Sequence, residues 1–248
     1  MRLALVLCCL LALAPAARAG GVNLAWDACL PDGGTSIRKS ACNSNAGYNY
    51  LIGSFTPLQS HPRCVAVACY VDIQSESATL PAWWGFFWTD MCRTTALNVS
   101  FDFSSLQQAS CNDPYNGSGW GGIANYMAGS HTRPDYTPRA NAARLMLGAG
   151  SAAGPTPVSA GTEYYGFRLS ISNLSTTGAG ACEGCATPVC ITLSAVEVYD
   201  DRPDGTPPKL ETLTAQAQSN MVSWQDAGPS CQSAVKNKTW GQLKSLYR

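Results

Sequence analysis

Charge is scarce in this sequence. Asp, Glu, Lys and Arg make up 13% of its 248 residues, about half the share of an ordinary globular protein. Basic and acidic residues number 16 each, so there is none of the positive excess that nucleic acid binding requires. Histidine is scarcer still, with only His61 and His131, in "QSHPR" and "GSHTRPDY". Two histidines far apart rule out the paired-histidine half of a zinc knuckle. No Gly-x-Ser-x-Gly elbow, His-Glu-x-x-His helix or phosphate loop is present, which removes the commonest hydrolase and nucleotide signatures. Beyond the first residues, no stretch is long and apolar enough to span a bilayer, so no membrane span is expected.

What is present begins at the amino terminus. One positive charge at Arg2 precedes an apolar run over 3–13, then Pro15 and the small-residue stretch Ala16-Ala17-Arg18-Ala19. The run is about 12 residues against the roughly 20 that cross a membrane, and Ala17-x-Ala19 suits a signal peptidase. Residues 1–19 are therefore expected to be a signal peptide, with the exported chain starting at Gly20 or Gly21. Cys8 and Cys9 leave with it. Leu7 before Cys8 disfavours lipid attachment, which needs a small residue there.

Ten cysteines follow: Cys29, Cys42, Cys64, Cys69, Cys92, Cys111, Cys182, Cys185, Cys190 and Cys231. An even number in an oxidising compartment reads as about five disulfides. Cys182-x2-Cys185 in "ACEGCATPVC" is the one tight knuckle. A zinc site would need a second pair of ligands, and a redox-active Cys-x-x-Cys would normally open a helix after a strand. No metal and no cofactor are expected. Proximity favours Cys29 with Cys42 and Cys92 with Cys111, leaving one of the 182/185/190 trio to reach elsewhere, for instance to Cys231.

Hydrophobic periodicity points to strands. In "ALNVSFDFS", Leu97, Val99, Phe101 and Phe103 alternate with polar residues, the period-two pattern of a sheet with one wet face. "CVAVACYVDI" aligns Val65, Val67, Cys69, Val71 and Ile73, and "YYGFRLSIS" aligns Tyr165, Phe167, Leu169 and Ile171. "VCITLSAVEVY" is a β-branched run. Shorter strands fit 23–26, 50–55 and 221–224. "NDPYNGSGWGG" and "GAGSAAGPTP" read as turn-rich, and "PRANAARLML", 138–147, reads as a helix or as the lead into a strand. Strands without β-α alternation predict an all-β fold, an antiparallel β-sandwich of immunoglobulin-like or jelly-roll kind stapled by disulfides. The expected domains are the sandwich over 20–199, a Pro-rich linker over 200–210 and a C-terminal tail over 211–248. The linker has a second reading, because Asp200, Asp204, Gly205 and Glu211 fall at positions 1, 5, 6 and 12 of a calcium loop. Arg202 at position 3, Pro207, Pro208 and the strand-like flank "AVEVY" oppose it.

The candidate ligand contact is "PAWWGFFW". In extended form it places Trp84, Phe86 and Trp88 on one face and Trp83 and Phe87 on the other. Trp83, Trp84 and Trp88 are the candidate binding residues, since exposed aromatic faces stack on sugar rings or on another protein. The competing reading is that these rings fill the core. Asp72, Glu76, Asp90, Asp102, Asp113, Asp135 and Glu163 offer carboxylates but no pattern that singles out a glycosidase pair. Asn-x-Ser/Thr occurs at Asn98, Asn116, Asn173 and Asn237, which matters in a host that glycosylates secreted chains.

The segments "GGVNLAWDAC", "LPAWWGFFWTDMCR", "AGTEYYGF", "CEGCATPVC" and "NKTWGQLKSLYR" together resemble exported bacterial cysteine-rich β-sandwich proteins over most of the mature chain. The resemblance implies a cell-envelope or extracellular setting and carries over no functional residue. The expectation is an exported binding or structural module, extracellular, periplasmic or on the cell surface, whose partner is a glycan or a protein and not nucleic acid. The alternative is a secreted hydrolase using carboxylates or a histidine, which must place two such groups at one solvent-filled site.

Overall fold

A computed structural model of the chain describes residues 20–87, 89–106, 110–128, 139–202, 204, 209–215 and 218–227. The expected signal peptide, Trp88, His131, Asp135, Cys231 and Asn237 lie outside these residues. The fold is a sandwich of two sheets, antiparallel apart from one short pair. The strands are β1 (Gly21–Trp26), β2 (Ile37–Arg38), β3 (Tyr48–Thr56), β4 (His61–Ser75), β5 (Leu97–Ser100) and β6 (Gly119–Ala128). They continue with β7 (Ala142–Ser151), β8 (Thr156–Val158), β9 (Tyr164–Ser172), β10 (Val189–Asp200), β11 (Lys209–Leu213) and β12 (Met221–Trp224). The smaller sheet runs β1-β3-β9-β5. The larger runs β2-β12-β10-β4-β7-β6, with β8 against β4 and β11 against β10. No helix among the described residues is long and apolar enough to cross a membrane.

The alternating residues read from the sequence fill the space between the sheets. Val67, Cys69, Val71 and Ile73 of β4 and Tyr165, Phe167, Leu169 and Ile171 of β9 are all buried. Leu24, Gly53 and Phe167 share a row across the smaller sheet. Glycine is required at that row's centre, because a Cβ on Gly53 would sit 2.3 Å from the Phe167 ring. β11, which straddles the boundary between the expected linker and tail, and β12 of the tail both pair with β10.

Three disulfides tie loops across 82 to 143 residues: Cys29–Cys111, Cys42–Cys185 and Cys92–Cys182. Loops of that size are worth about 4 to 5 kcal/mol each in the chain-entropy account of crosslinking. Cys190 is disulfide-bonded as well. The short-range pairs Cys29–Cys42 and Cys92–Cys111 are not formed, because a sandwich brings loops from distant strands together at one end. Cys64 and Cys69 also depart from expectation, for both are buried free thiols. They lie on one extended strand, five residues apart. At about 3.3 Å per residue their Cα atoms are roughly 16 Å apart, more than twice what a disulfide spans. Burial, with Asp200 nearby, pushes the Cys64 thiol up to about 12, and burial alone raises Cys69 further. Three disulfides accord with an oxidising, exported environment.

Candidate functional site

Trp83 and Trp84, named as candidate binding residues beside a core reading, are fully buried. The segment is a 3-10 turn, Ala82–Trp84, rather than a strand, so the two rings do not diverge to opposite faces. Both pack on Trp224 of β12, at 5.0 and 5.6 Å between ring centres, and Trp224 in turn packs on Trp26 of β1 at 6.0 Å. The cluster joins the two sheets, and the core reading of these residues is the one the structure shows. Trp83 donates its indole N–H to Thr176 Oγ1 and Trp224 donates to the Cys185 carbonyl.

The exposed aromatic pair lies elsewhere, on the outer face of the smaller sheet. Tyr48 and Tyr50 alternate on β3 so that both rings project outward, 6.3 Å apart and 22° from parallel. Their exposures are 56% and 40%. Register places Ser172 beside Tyr48, and Ser170 then Asn98 beside Tyr50. Farther along the same face Ala25 and Ile52 are covered, Ala25 by the loop carrying Gly34, which leaves the tyrosine end open. The result is a groove of about 650 Å³, within the usual range for small-ligand sites. Arg168 of β9 is its one charged lining residue among the described residues. The Arg168 guanidinium carbon lies 6.0 Å from the Tyr50 ring centre.

The groove's walls are held from below. Asn45 accepts the N–H groups of Thr176 and Thr177, each at 2.8 Å, and Asn173 donates to the Ala46 carbonyl. Arg93 donates to the carbonyls of Trp83, Leu174 and Ser172. Cys42 lies three residues before Asn45 and Cys92 three before Thr95. The alternating tyrosines of "YNY" are visible in the sequence, but their register opposite "RLSIS" is not, and Tyr50 reads equally well as the start of a buried strand.

A second cluster is closed to solvent. His61 Nε2 lies 2.6 Å from Glu211 Oε2, and His61 Nδ1 lies 3.3 Å from Asp200 Oδ2 without hydrogen-bond alignment. Glu211 Oε1 accepts the Leu58 N–H at 3.0 Å. Asp200 and Glu211, the first and last landmarks of the calcium-loop reading, thus converge on an imidazole through the β10–β11 pairing. All three side chains are buried. Three of the other carboxylates serve local structure: Asp72 accepts from Arg144 Nε and Nη2, Glu163 accepts from Asn23 and Ser54, and Asp113 caps the turn at Tyr115 and Gly117. Among the described residues one group has metal-ligand spacing, Cys29, Asp32 and Cys111, and its two sulfurs are joined in a disulfide.

No family model and no curated protein matches the chain. Among solved structures it is similar to AvmM, described as catalysing macrocyclization in alchivemycin A biosynthesis. That similarity has 8% identity and a TM-score of 0.33, over 80% of this chain and 90% of that one. A likeness so slight carries no argument about either chain's chemistry.

Proposed function

We propose that this chain is an exported binding module that holds a saccharide in the groove on the outer face of its smaller sheet. The disulfide-rich all-β fold fits a binding or structural module, and the Tyr48–Tyr50 pair is the observation that favours binding. Two near-parallel phenol rings, half exposed on a rigid strand, lose little side-chain freedom when covered. A pyranose ring offers them its C–H face while its hydroxyls reach Asn98, Ser170 and Ser172, which donate and accept. The aromatic contact expected at the tryptophan cluster is reassigned here to the tyrosines. The setting is extracellular, periplasmic or cell-surface, in keeping with the leader and the disulfides.

Calorimetric titration with soluble oligosaccharides tests this reading. Binding that is lost in both Tyr48→Ala and Tyr50→Ala, at unchanged melting temperature, is the expected result. Equal binding by wild type and both variants would remove the groove from the account.

A further inference from the structure

We infer that the saccharide taken by this groove is acidic, carrying a carboxylate or a sulfate ester on a ring next to the one stacked on Tyr50. The inference rests on the saccharide reading above and adds the charge of the ligand. Among the described residues Arg168 is the only charged side chain lining the groove, and no carboxylate among them lines it. Its Nη1 donates to Ser105 Oγ at 2.9 Å, while its Nε is buried with no hydrogen-bond partner among the described residues. An anionic oxygen is the strongest acceptor that a guanidinium lining the groove can meet.

The neighbouring carboxylates do not take that role. Asp27, whose N–H donates to the Tyr50 carbonyl, has its own carboxylate on Arg38 at 2.5 Å. Asp102 is fully exposed and is held below the usual carboxylate range chiefly by hydrogen bonds from Ser104, with Arg168 a lesser cause. The guanidinium thus lines the groove beside an aromatic ring and forms no ion pair among the described residues. That arrangement suits a ligand whose sugar face covers Tyr50 and whose acidic group meets the arginine fork.

The test compares three probes of equal length: an oligogalacturonate, its methyl-esterified neutral form and a sulfated galacto-oligosaccharide. One or both acidic probes should bind at least about ten-fold more tightly than the neutral one, as expected of a charge-assisted hydrogen bond. The advantage should shrink as salt is raised. Which acidic probe binds decides between carboxylate and sulfate. Arg168→Gln should bring the acidic probe down to the neutral affinity, while Arg168→Lys should keep part of the advantage because it retains charge without the fork. If Arg168→Gln does not fold, the lysine variant and the salt dependence of wild type carry the same comparison. Equal affinity for neutral and acidic probes, insensitive to Arg168 but lost in Tyr50→Ala, would overturn the acidic ligand and leave the saccharide groove standing. No binding in any arm would overturn both.

Discussion

The guanidinium carbon of Arg93 lies 3.6 Å from the ring centre of Trp83, and the same guanidinium donates to the backbone carbonyls of Trp83, Leu174 and Ser172. Ser172 and Leu174 line the groove. A buried tryptophan thus supports a buried cation, and the cation fixes the backbone at one end of the groove. Burial pushes the Arg93 guanidinium down to about 9, which still leaves it charged at neutral pH. Trp83 thus underlies the proposed groove and is itself closed to solvent.

Trp83→Ala and Tyr50→Ala should therefore separate cleanly. The tryptophan variant opens a core cavity and should lose roughly 3 to 5 kcal/mol of stability in urea unfolding. Tyr50→Ala, at a half-exposed position, should stay within about 0.5 kcal/mol of wild type yet lose saccharide binding. Equal stability losses in the two would sink the distinction between footing and contact surface.

Cys64 and Cys69 predict a specific thiol count. Native protein at neutral pH should be unreactive toward a thiol reagent, because both sulfurs are buried and their ionisation is disfavoured. Unfolded, unreduced protein should release two thiols from the described residues. A count of zero would mean that these cysteines are paired in the folded protein.

The same thiols set an alkaline limit. Their folded pKa values lie above the ordinary value of 9.0, so above pH 9 the unfolded chain loses protons that the folded chain retains. Stability is fully present below pH 9 and should fall as pH rises, by up to about 1.4 kcal/mol per pH unit for each thiol. Cys69→Ala should show a shallower decline than wild type between pH 9 and pH 10, measured by urea midpoint. Parallel slopes would contradict this.

His61→Leu should be among the most destabilising substitutions in the protein. It leaves Asp200 and Glu211 buried without the imidazole between them, and each buried polar group that loses its partner costs about 1 to 3 kcal/mol, more where it is charged. Adding Asp200→Asn and Glu211→Gln to His61→Leu should restore part of the loss. Thermal unfolding of the single and triple variants measures both effects.

The sandwich was legible wherever one strand face is apolar and the other wet, as in β4, β9 and β10. It was not legible where small residues carry the strand. β6 and β7 meet through Gly121 with Ala149 and Gly122 with Gly148, and a Cβ on Gly121 would sit 2.1 Å from the Gly148 carbonyl oxygen. Gly121, which reads as part of a turn, is there because two backbones approach closely, whereas a Cβ on Gly122 or Gly148 would meet nothing within 4 Å. "NAARLML" reads as a helix or as the lead into a strand, and pairing with β4 on one side and β6 on the other decides for the strand. "PAWWGFFW" gave its composition away but not its direction, because aromatic residues are equally suited to a core and to a contact surface. The tyrosine groove depends on register between β3, β9 and β5, which no local pattern encodes.

Cys182 and Cys185 stand three positions apart in one short loop, and each is bonded to a different neighbour, Cys92 toward the start of β5 and Cys42 toward the start of β3. Those two strands flank β9 beneath the groove. The loop works as a yoke: displacement of either wall is passed through a few backbone bonds to the other. The mouth of the groove should accordingly widen and narrow as one coordinated motion, with its breadth set by a covalent frame rather than by the independent drift of two surface loops.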